Sequence, residues 1–156
     1  MKPHPLAAIF AAAVTALTLA ACSAPRPHFP LTRFVPTSRE MAPLGELHLS
    51  GTQLRLGALD GEMKLEYVGL MPETGGTDMA GGSVYRVRNA DRFFKQNEGR
   101  NAWCHDAPRW IVVNSETGAP AWSNEIFVGL LTVDEWAKFT PEESGYCSGG
   151  KYVRTP

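Results

Sequence analysis

A histidine followed by an aspartate is the pair of residues in this chain best suited to proton transfer. His105 and Asp106 follow Cys104 directly, and a histidine beside a carboxylate can serve as a general base. A catalytic site would also need a nucleophile or a metal ion, and the sequence contains neither a GxSxG elbow nor a zinc motif. We therefore expect a solvated loop here, and a protein that is not an enzyme and has no cofactor or metal site.

Two other patterns are expected to be structural. Glu142 and Glu143 are adjacent carboxylates, and we expect the pair to lie on a solvated turn rather than in an acid–base site. The stretch 72–82 contains four glycines without the Gly-Lys-Ser/Thr that a phosphate-binding loop requires. We expect this stretch to be a flexible loop with little to pack.

Charged residues are distributed unevenly in the second half of the chain. Basic residues are in excess between positions 83 and 110, and acidic residues between positions 116 and 143. The two regions are expected to pair within the fold; alternatively, they form a basic face for an anionic glycan or lipid head group and an acidic face for a basic protein. The candidate basic surface comprises Arg86, Arg88, Arg92, Lys95 and Arg100, and the acidic residues are Glu116, Glu125, Asp134, Glu135, Glu142 and Glu143.

The N-terminal segment has the composition of an export signal. Lys2 is the only charge in the first 21 residues, and positions 6–21 are almost wholly apolar. A cationic start, an apolar run and small residues at its end are the parts of a secretory signal peptide. The apolar run is shorter than the roughly 20 residues that a spanning helix needs. It ends in Leu19, Ala20, Ala21 and Cys22.

These four residues resemble the lipobox of bacterial lipoprotein precursors: an aliphatic residue, two small residues and a cysteine. The resemblance implies cleavage before Cys22, a diacylglycerol on its sulfur and an acyl chain on the new amino terminus, and two or more chains give a stable anchor. Ser23 is not the aspartate associated with inner-membrane retention, so the resemblance implies an outer-membrane lipoprotein facing the periplasm. The alternative is an ordinary signal peptide followed by a structural cysteine.

The lipobox affects how the other cysteines are interpreted. If Cys22 carries lipid, Cys104 and Cys147 remain, and an even pair in an exported protein predicts a disulfide. The alternative is two free buried thiols. A metal site is less expected, because no CxxC or HxxxH spacing accompanies them.

The chain divides into a signal peptide (1–21), a lipidated cysteine with a proline-rich tether (22–43) and one globular domain (44–156). Five prolines lie in the tether, and proline at this density favours extended chain. Phe29, Leu31, Phe34 and Val35 are unusual for a spacer, and we expect them to contact the domain or a partner.

Alternating apolar and polar residues predict strands in the domain. The alternating segments are 46–50, 52–56, 63–68 and 83–88; the segments 109–113 and 125–133 are apolar on both faces, and 146–154 is a closing strand. A short helix is predicted over 89–98, with Asn89 as its cap, and a second after the capping box 132–135. The predicted fold is mainly β: a small antiparallel β-barrel or sandwich-like domain with one or two short helices. The alternative is a two-layer α+β domain.

These features predict a membrane-anchored, periplasm-facing lipoprotein whose β domain binds a partner or ligand without catalysis. The net charge of −1 argues against nucleic acid as a partner. By architectural analogy alone, the domain could act like a lysozyme inhibitor. The alternatives are a structural or assembly lipoprotein of an envelope complex and an enzyme acting on envelope glycan or lipid. An empty barrel would favour ligand carriage, and a filled one surface recognition.

Overall fold

The domain is a closed barrel of eight antiparallel strands, in which each strand pairs with its sequence neighbours and the first pairs with the last. The computed structural model describes residues 29–100, 103–142 and 144–156, so the predicted signal peptide and Cys22 lie outside the described residues. The strands are β1 (Thr32–Pro36), β2 (Leu47–Leu49), β3 (Gln53–Leu56), β4 (Met63–Leu70), β5 (Ser83–Val87), β6 (Trp110–Ser115), β7 (Glu125–Leu131) and β8 (Tyr146–Arg154). The predicted mainly β fold, with its antiparallel barrel, is confirmed.

The barrel begins inside the stretch that the sequence assigned to the tether. β1 pairs with both β2 and β8, and the side chain of Phe34 within it is completely buried. The predicted boundary at residue 43 is therefore wrong. Proline density was misleading because Pro30 precedes the strand and Pro36 ends it, positions at which proline interrupts no central ladder.

One α-helix is present among the described residues, α1 (Ala90–Gln96), where the sequence predicted it. Asn89 does not cap it through its side chain; its carboxamide instead accepts a hydrogen bond from the Lys64 N–H and donates one to the Glu62 carbonyl. The helix predicted after residue 132 is wrong. Only a 3-10 turn, Trp136–Lys138, forms there, because Glu135 before it is extended and the Thr132 hydroxyl donates to the Gly145 carbonyl.

The interior of the barrel is filled by side chains. The inward-facing residues of all eight strands form one apolar cluster, which we call the inner core. Five of its large members have no exposed surface: Phe34, Met63, Tyr85, Ile111 and Tyr152. Because these side chains occupy the interior at zero exposure, the barrel is a packed core.

The two ends of the barrel differ in how they are closed. At the end we call the capped end, where β1 finishes, α1 closes the barrel with Phe93, which is 1% exposed. The Asn97 side chain bonds the backbone N–H and carbonyl of Asp60 and so fastens the helix to the β3–β4 turn. Cys104 and Cys147 lie together as the predicted disulfide pair, with Cα atoms 5.1 Å apart, and tie the segment after α1 to β8. The other end, where the chain enters β1, is the entry end.

A second apolar cluster lies outside the barrel, against the outer faces of β5, β6 and β7. This outer cluster comprises Met71, Met79, Val84, Trp110, Val112, Leu131 and Phe139. It explains why β6 and β7 are apolar on both faces. The prediction that the glycine-rich loop packs little is wrong, because Met71 and Met79 from its two sides are buried and the Asn114 amide donates to the Asp78 and Ala80 carbonyls.

Candidate binding groove

A groove runs along the outer wall of β7 and β8, next to the outer cluster. It consists of three adjoining depressions of about 490, 300 and 210 Å³, all of which include Asp78 and Phe127 in their lining. We call it the acidic groove; the lining residues used below are Glu40, Asp78, Glu116, Glu125, Phe127, Tyr146, Gly149 and Lys151. The residues come from the barrel wall and from the connections that fold over it.

Glycines keep the floor of the groove flat. Gly129 and Gly149 are cross-strand partners on the outer wall, next to the pair Phe127 and Lys151. A Cβ atom on Gly149 would overlap the Tyr146 hydroxyl and would lie 3.0 Å from Cζ of Phe127. The absence of a side chain at Gly149 therefore lets both aromatic rings lie against the sheet.

The two rings are anchored on one side and open to solvent on the other. Phe127 packs against the outer cluster, and the Tyr146 ring centroid lies 6.5 Å from that of Phe139. Tyr146 nevertheless remains 42% exposed. Partial burial, with the nearby carboxylates of Asp78 and Glu40, raises the pKa of Tyr146 above its ordinary value, so its hydroxyl is a neutral hydrogen-bonding group at neutral pH.

Carboxylates outnumber cations in the groove. Among the lining residues that the structure describes, Glu40, Asp78, Glu116 and Glu125 are accompanied by a single ammonium group, that of Lys151. The ammonium nitrogen lies 3.0 Å from Oε1 of Glu125. This hydrogen bond, with further attraction from Asp78 and Glu116, raises the pKa of Lys151. Since one cation offsets one carboxylate, the lining keeps an excess of negative charge that attracts cations.

The structure does not gather the predicted basic surface into one free cationic face. Three of its five residues have partners of their own: the Arg86 guanidinium lies 5.3 Å from the Trp110 ring centroid, Arg88 pairs with Glu66 at 3.0 Å and Arg100 pairs with Asp60 at 3.1 Å. Arg92 and Lys95 are exposed on α1. The five residues extend from the β5 wall to the capped end.

The predicted pairing between the basic and acidic regions is also wrong for the described residues. In that part of the chain, only Arg109 and Asp134 join the two regions, at 3.8 Å. Glu125 pairs with Lys151 and Glu135 with Lys138, neither of which belongs to the basic region. Of the acidic residues that the structure describes, only Asp134 is therefore paired with the basic region.

The residues singled out for catalysis lie apart from the groove lining. His105 and Asp106 are exposed beside the disulfide, and Glu142 is exposed in the β7–β8 connection; Glu143 lies outside the described residues. Within the described ranges, no group of three or more histidine, cysteine or acidic side chains is placed to hold a metal ion.

Sequence reasoning missed two acids of the groove. Glu40 belongs to the β1–β2 connection and Asp78 to the glycine-rich loop, both far in sequence from Glu116 and Glu125. The signals that were present are the outward position of Phe127 in its strand and the Gly149-Gly150 pair in β8, since glycine inside a strand marks a close approach.

None of the helices in the described part of the chain is both long and apolar enough to cross a membrane. Comparisons of the chain with protein-family models, with curated proteins and with solved structures give no match.

Proposed function

We propose that this chain is a lipid-anchored protein of the bacterial cell envelope, carried on the outer membrane and facing the periplasm. Its barrel is a non-catalytic module that binds a cationic partner. The signal-peptide composition and the Leu19-Ala20-Ala21-Cys22 sequence support the anchor. The observation that carries the binding role is the acidic groove, in which four carboxylates and two aromatic rings surround one ammonium group.

The filled barrel supports recognition at the surface over carriage of a ligand inside. Tyr85 and Tyr152, the two largest side chains of the inner core, have zero exposure. A small molecule could enter only by displacing such side chains, and interiors packed at this density resist that. Binding is therefore assigned to the outer wall.

The chemistry of the groove fits a segment of protein that carries lysine or arginine. The carboxylates steer a cationic partner during approach and reject anionic ones. Phe127 and Tyr146 offer ring faces to an ammonium or guanidinium group and apolar area to its aliphatic stem. A cationic envelope hydrolase whose active-site cleft lies against the groove would be inhibited, and we propose such an inhibitor-like role.

A lysine-rich peptide and lysozyme, a cationic enzyme, are suitable probes. We would measure the dissociation constants of both for the lipidated full chain in nanodiscs, at low and at physiological salt. Glu40→Lys with Asp78→Lys should weaken binding at least tenfold. The matched control, Asp91→Lys with Glu98→Lys, makes the same charge change on and next to α1 and should change binding by less than twofold at physiological salt. Equal weakening by both pairs would show that net charge alone drives binding.

Lysozyme turnover on a peptidoglycan suspension tests the inhibitor-like role separately. The wild-type chain should slow lysis in proportion to the bound fraction, and the groove variant should not. Full lysis at saturating protein would leave binding without inhibition and would remove this part of the proposal.

The anchor is tested by the mass of the N-terminal peptide from cells that express the full chain. We expect a mature chain that begins at Cys22 with its sulfur and amino group acylated. Cys22→Ala should abolish the lipid mass. A free thiol at Cys22 in the wild type would contradict the proposed anchor.

A further inference from the structure

We infer that the entry end of the barrel rests on the lipid surface, with Leu31, Leu70 and Trp122 in the membrane interface; this inference rests on the proposed lipid anchor. Four large apolar side chains of the described residues are strongly exposed: Leu31 at 51%, Leu70 at 58%, Trp122 at 75% and Tyr146 at 42%. Tyr146 belongs to the acidic groove. The other three all lie at the entry end.

These three side chains are distributed around the rim of the entry end. Leu31 directly precedes β1, Leu70 is the last residue of β4, and Trp122 ends the 3-10 turn Pro120–Trp122 between β6 and β7. The strand order places no two of them on neighbouring strands. Three separated contacts suit a broad, flat surface better than a single narrow pocket in a partner.

The exposure of Trp122 is built into the fold. Pro120 and Ala121 in the same turn are buried, and the Arg154 guanidinium donates a 2.8 Å hydrogen bond to the Ala121 carbonyl. The turn is therefore fixed against the barrel while the indole projects away from it. Tryptophan in this position is suited to a bilayer interface, where its ring is partly buried and its N–H can meet polar groups.

The position of the proposed anchor places the bilayer at the same end. Phe29 is buried against the inner core just before β1, and the sequence from Cys22 to Phe29 covers seven residue steps. Even fully extended, seven residues span at most about 25 Å. The lipid attached to Cys22 therefore keeps the start of β1, and with it the entry end, within about 25 Å of the membrane.

The charges near the rim indicate what kind of lipid contact to expect. Glu73 and Glu116 are exposed in the connections at this end, and the exposed guanidinium of Arg154 keeps its charge while it donates to the Ala121 carbonyl. Two carboxylates against one guanidinium give no net attraction to anionic head groups. The contact should therefore depend on apolar insertion and be insensitive to anionic lipid and to salt.

Quenching of tryptophan fluorescence by lipids with brominated acyl chains tests the inference. The lipidated full chain would be reconstituted in phosphatidylcholine vesicles, with Cys22 acylation checked by mass. Trp122→Phe should remove more than half of the lipid-quenched emission. Trp136→Phe is the matched control, because Trp136 is half-buried on the outer wall, and it should leave the quenched fraction unchanged. Adding one fifth anionic lipid should also leave quenching unchanged.

The outcomes separate the inference from the proposed function. Acylated protein that stays on vesicles with unquenched Trp122 overturns the inference and leaves the anchor intact. The same result together with cross-links between entry ends would assign the rim to a second copy of the chain. Recovery of unacylated wild-type protein in the supernatant overturns both the anchor and the inference. Leu31→Ser with Leu70→Ser, which keeps the Trp122 reporter, should reduce quenching without changing the unfolding midpoint, which excludes misfolding as the cause.

Discussion

The inner core and the outer cluster are both buried and apolar, but different structures enclose them. The inner core is surrounded by eight hydrogen-bonded strands. The outer cluster is covered by two connections that meet where a Cβ atom on Gly76 would lie 2.7 Å from Cγ of Pro141. The backbone of hydrogen-bonded strands shifts little when a side chain of the inner core is changed. The connections over the outer cluster can shift further. We therefore expect the inner core to set stability and the outer cluster to set the shape of the surface.

This difference explains where the acidic groove lies. On β2 the side chains of Leu47 and Leu49 face inward and His48 meets solvent, so that side of the barrel has a single apolar layer. On β6 both faces are buried, and the wall there has two layers. Phe127 and Tyr146 stand where the second layer ends, so the groove is the exposed edge of the outer cluster.

Loss of the disulfide at the capped end should have the largest effect on the free energy of unfolding. The change is Cys104→Ser with Cys147→Ser, which opens a loop with a sequence separation of 43. The chain-entropy model predicts a loss of about 4 kcal/mol in the free energy of unfolding. Urea unfolding measures this, with Cys22 unchanged in both proteins. A loss below about 1 kcal/mol would show that the capped end holds without its covalent tie.

Alkaline pH should also destabilise the inner core, through the buried hydroxyl of Tyr85. Burial raises the pKa of Tyr85 to about 12 from the ordinary 10.0. Above pH 10 the unfolded chain loses this proton while the folded protein keeps it, so stability is complete below pH 10 and falls as pH rises to 12. The whole shift corresponds to roughly 2–3 kcal/mol.

Tyr85→Phe is the matched control for this pH effect, because it keeps the ring and removes the ionisable group. Urea unfolding at several pH values between 9 and 12 should show a shallower decline for the variant. Identical slopes in the two proteins would contradict a buried, protonated hydroxyl at Tyr85.

Two adjacent valines allow the inner core and the outer cluster to be compared directly. Val113 is 1% exposed in the inner core, and Val112 is fully buried in the outer cluster. Val113→Ala should cost about 2 kcal/mol, because the strands around the void cannot close it. Val112→Ala should cost about 1 kcal/mol, because the connections can move into the space. Equal costs in thermal and urea unfolding would show that the outer cluster is as rigid as the barrel.

Much of the fold could be predicted from the sequence because strands with one wet face leave a clear period-two pattern. Segments such as 63–68 and 146–154 are strands as predicted. β1 was missed because the prolines around Thr32–Pro36 favoured an extended tether, and the sequence does not show that Phe34 is buried. The pairing with β8 shows that the segment is a strand of the barrel. The helix predicted after residue 132 does not form. A capping box indicates only a local preference, and the hydrogen bond from the Thr132 hydroxyl to the Gly145 carbonyl overrides it.

The candidate groove could be predicted only in part. Glu116 and Glu125 belonged to the predicted acidic region, but Glu40 and Asp78 reach the same wall only because the barrel closes and the glycine-rich loop folds over it. No local pattern records either event. The same limit applies to the basic residues, because their partners are distant in sequence. Arg88 pairs with Glu66 on β4, 22 residues away, and Arg100 pairs with Asp60 in the β3–β4 turn.

Gly149 and Gly150 are neighbours in β8, and alanine at these two positions should have different effects. We expect the smaller loss of stability at Gly149, which faces the groove, and the larger loss at Gly150, which faces the inner core. A Cβ atom on Gly150 would overlap Ser38 Oγ and lie 2.7 Å from Cγ of the fully buried Met41. Overpacking typically costs about 1–3 kcal/mol, and the reduced freedom of the unfolded chain offsets about 0.5–1 kcal/mol. Gly150→Ala should therefore destabilise the protein by about 1 kcal/mol.

Gly149→Ala is the outward-facing counterpart, and we expect it to cost less than about 0.5 kcal/mol. Its Cβ would meet mainly the hydroxyl end of Tyr146, which is exposed and can swing into solvent. The displaced ring no longer lines the groove, so binding of the lysine-rich peptide should weaken severalfold. Gly150→Ala should weaken it less, because its Cβ would point toward Met41 and Ser38 and leave the Tyr146 ring in place. Urea unfolding gives the free energy of unfolding of both variants, and peptide titration gives their dissociation constants for the lysine-rich peptide. If Gly150→Ala weakens the peptide as much as Gly149→Ala does, the inner core and the outer wall are coupled, and the groove is not a separate, adjustable surface layer.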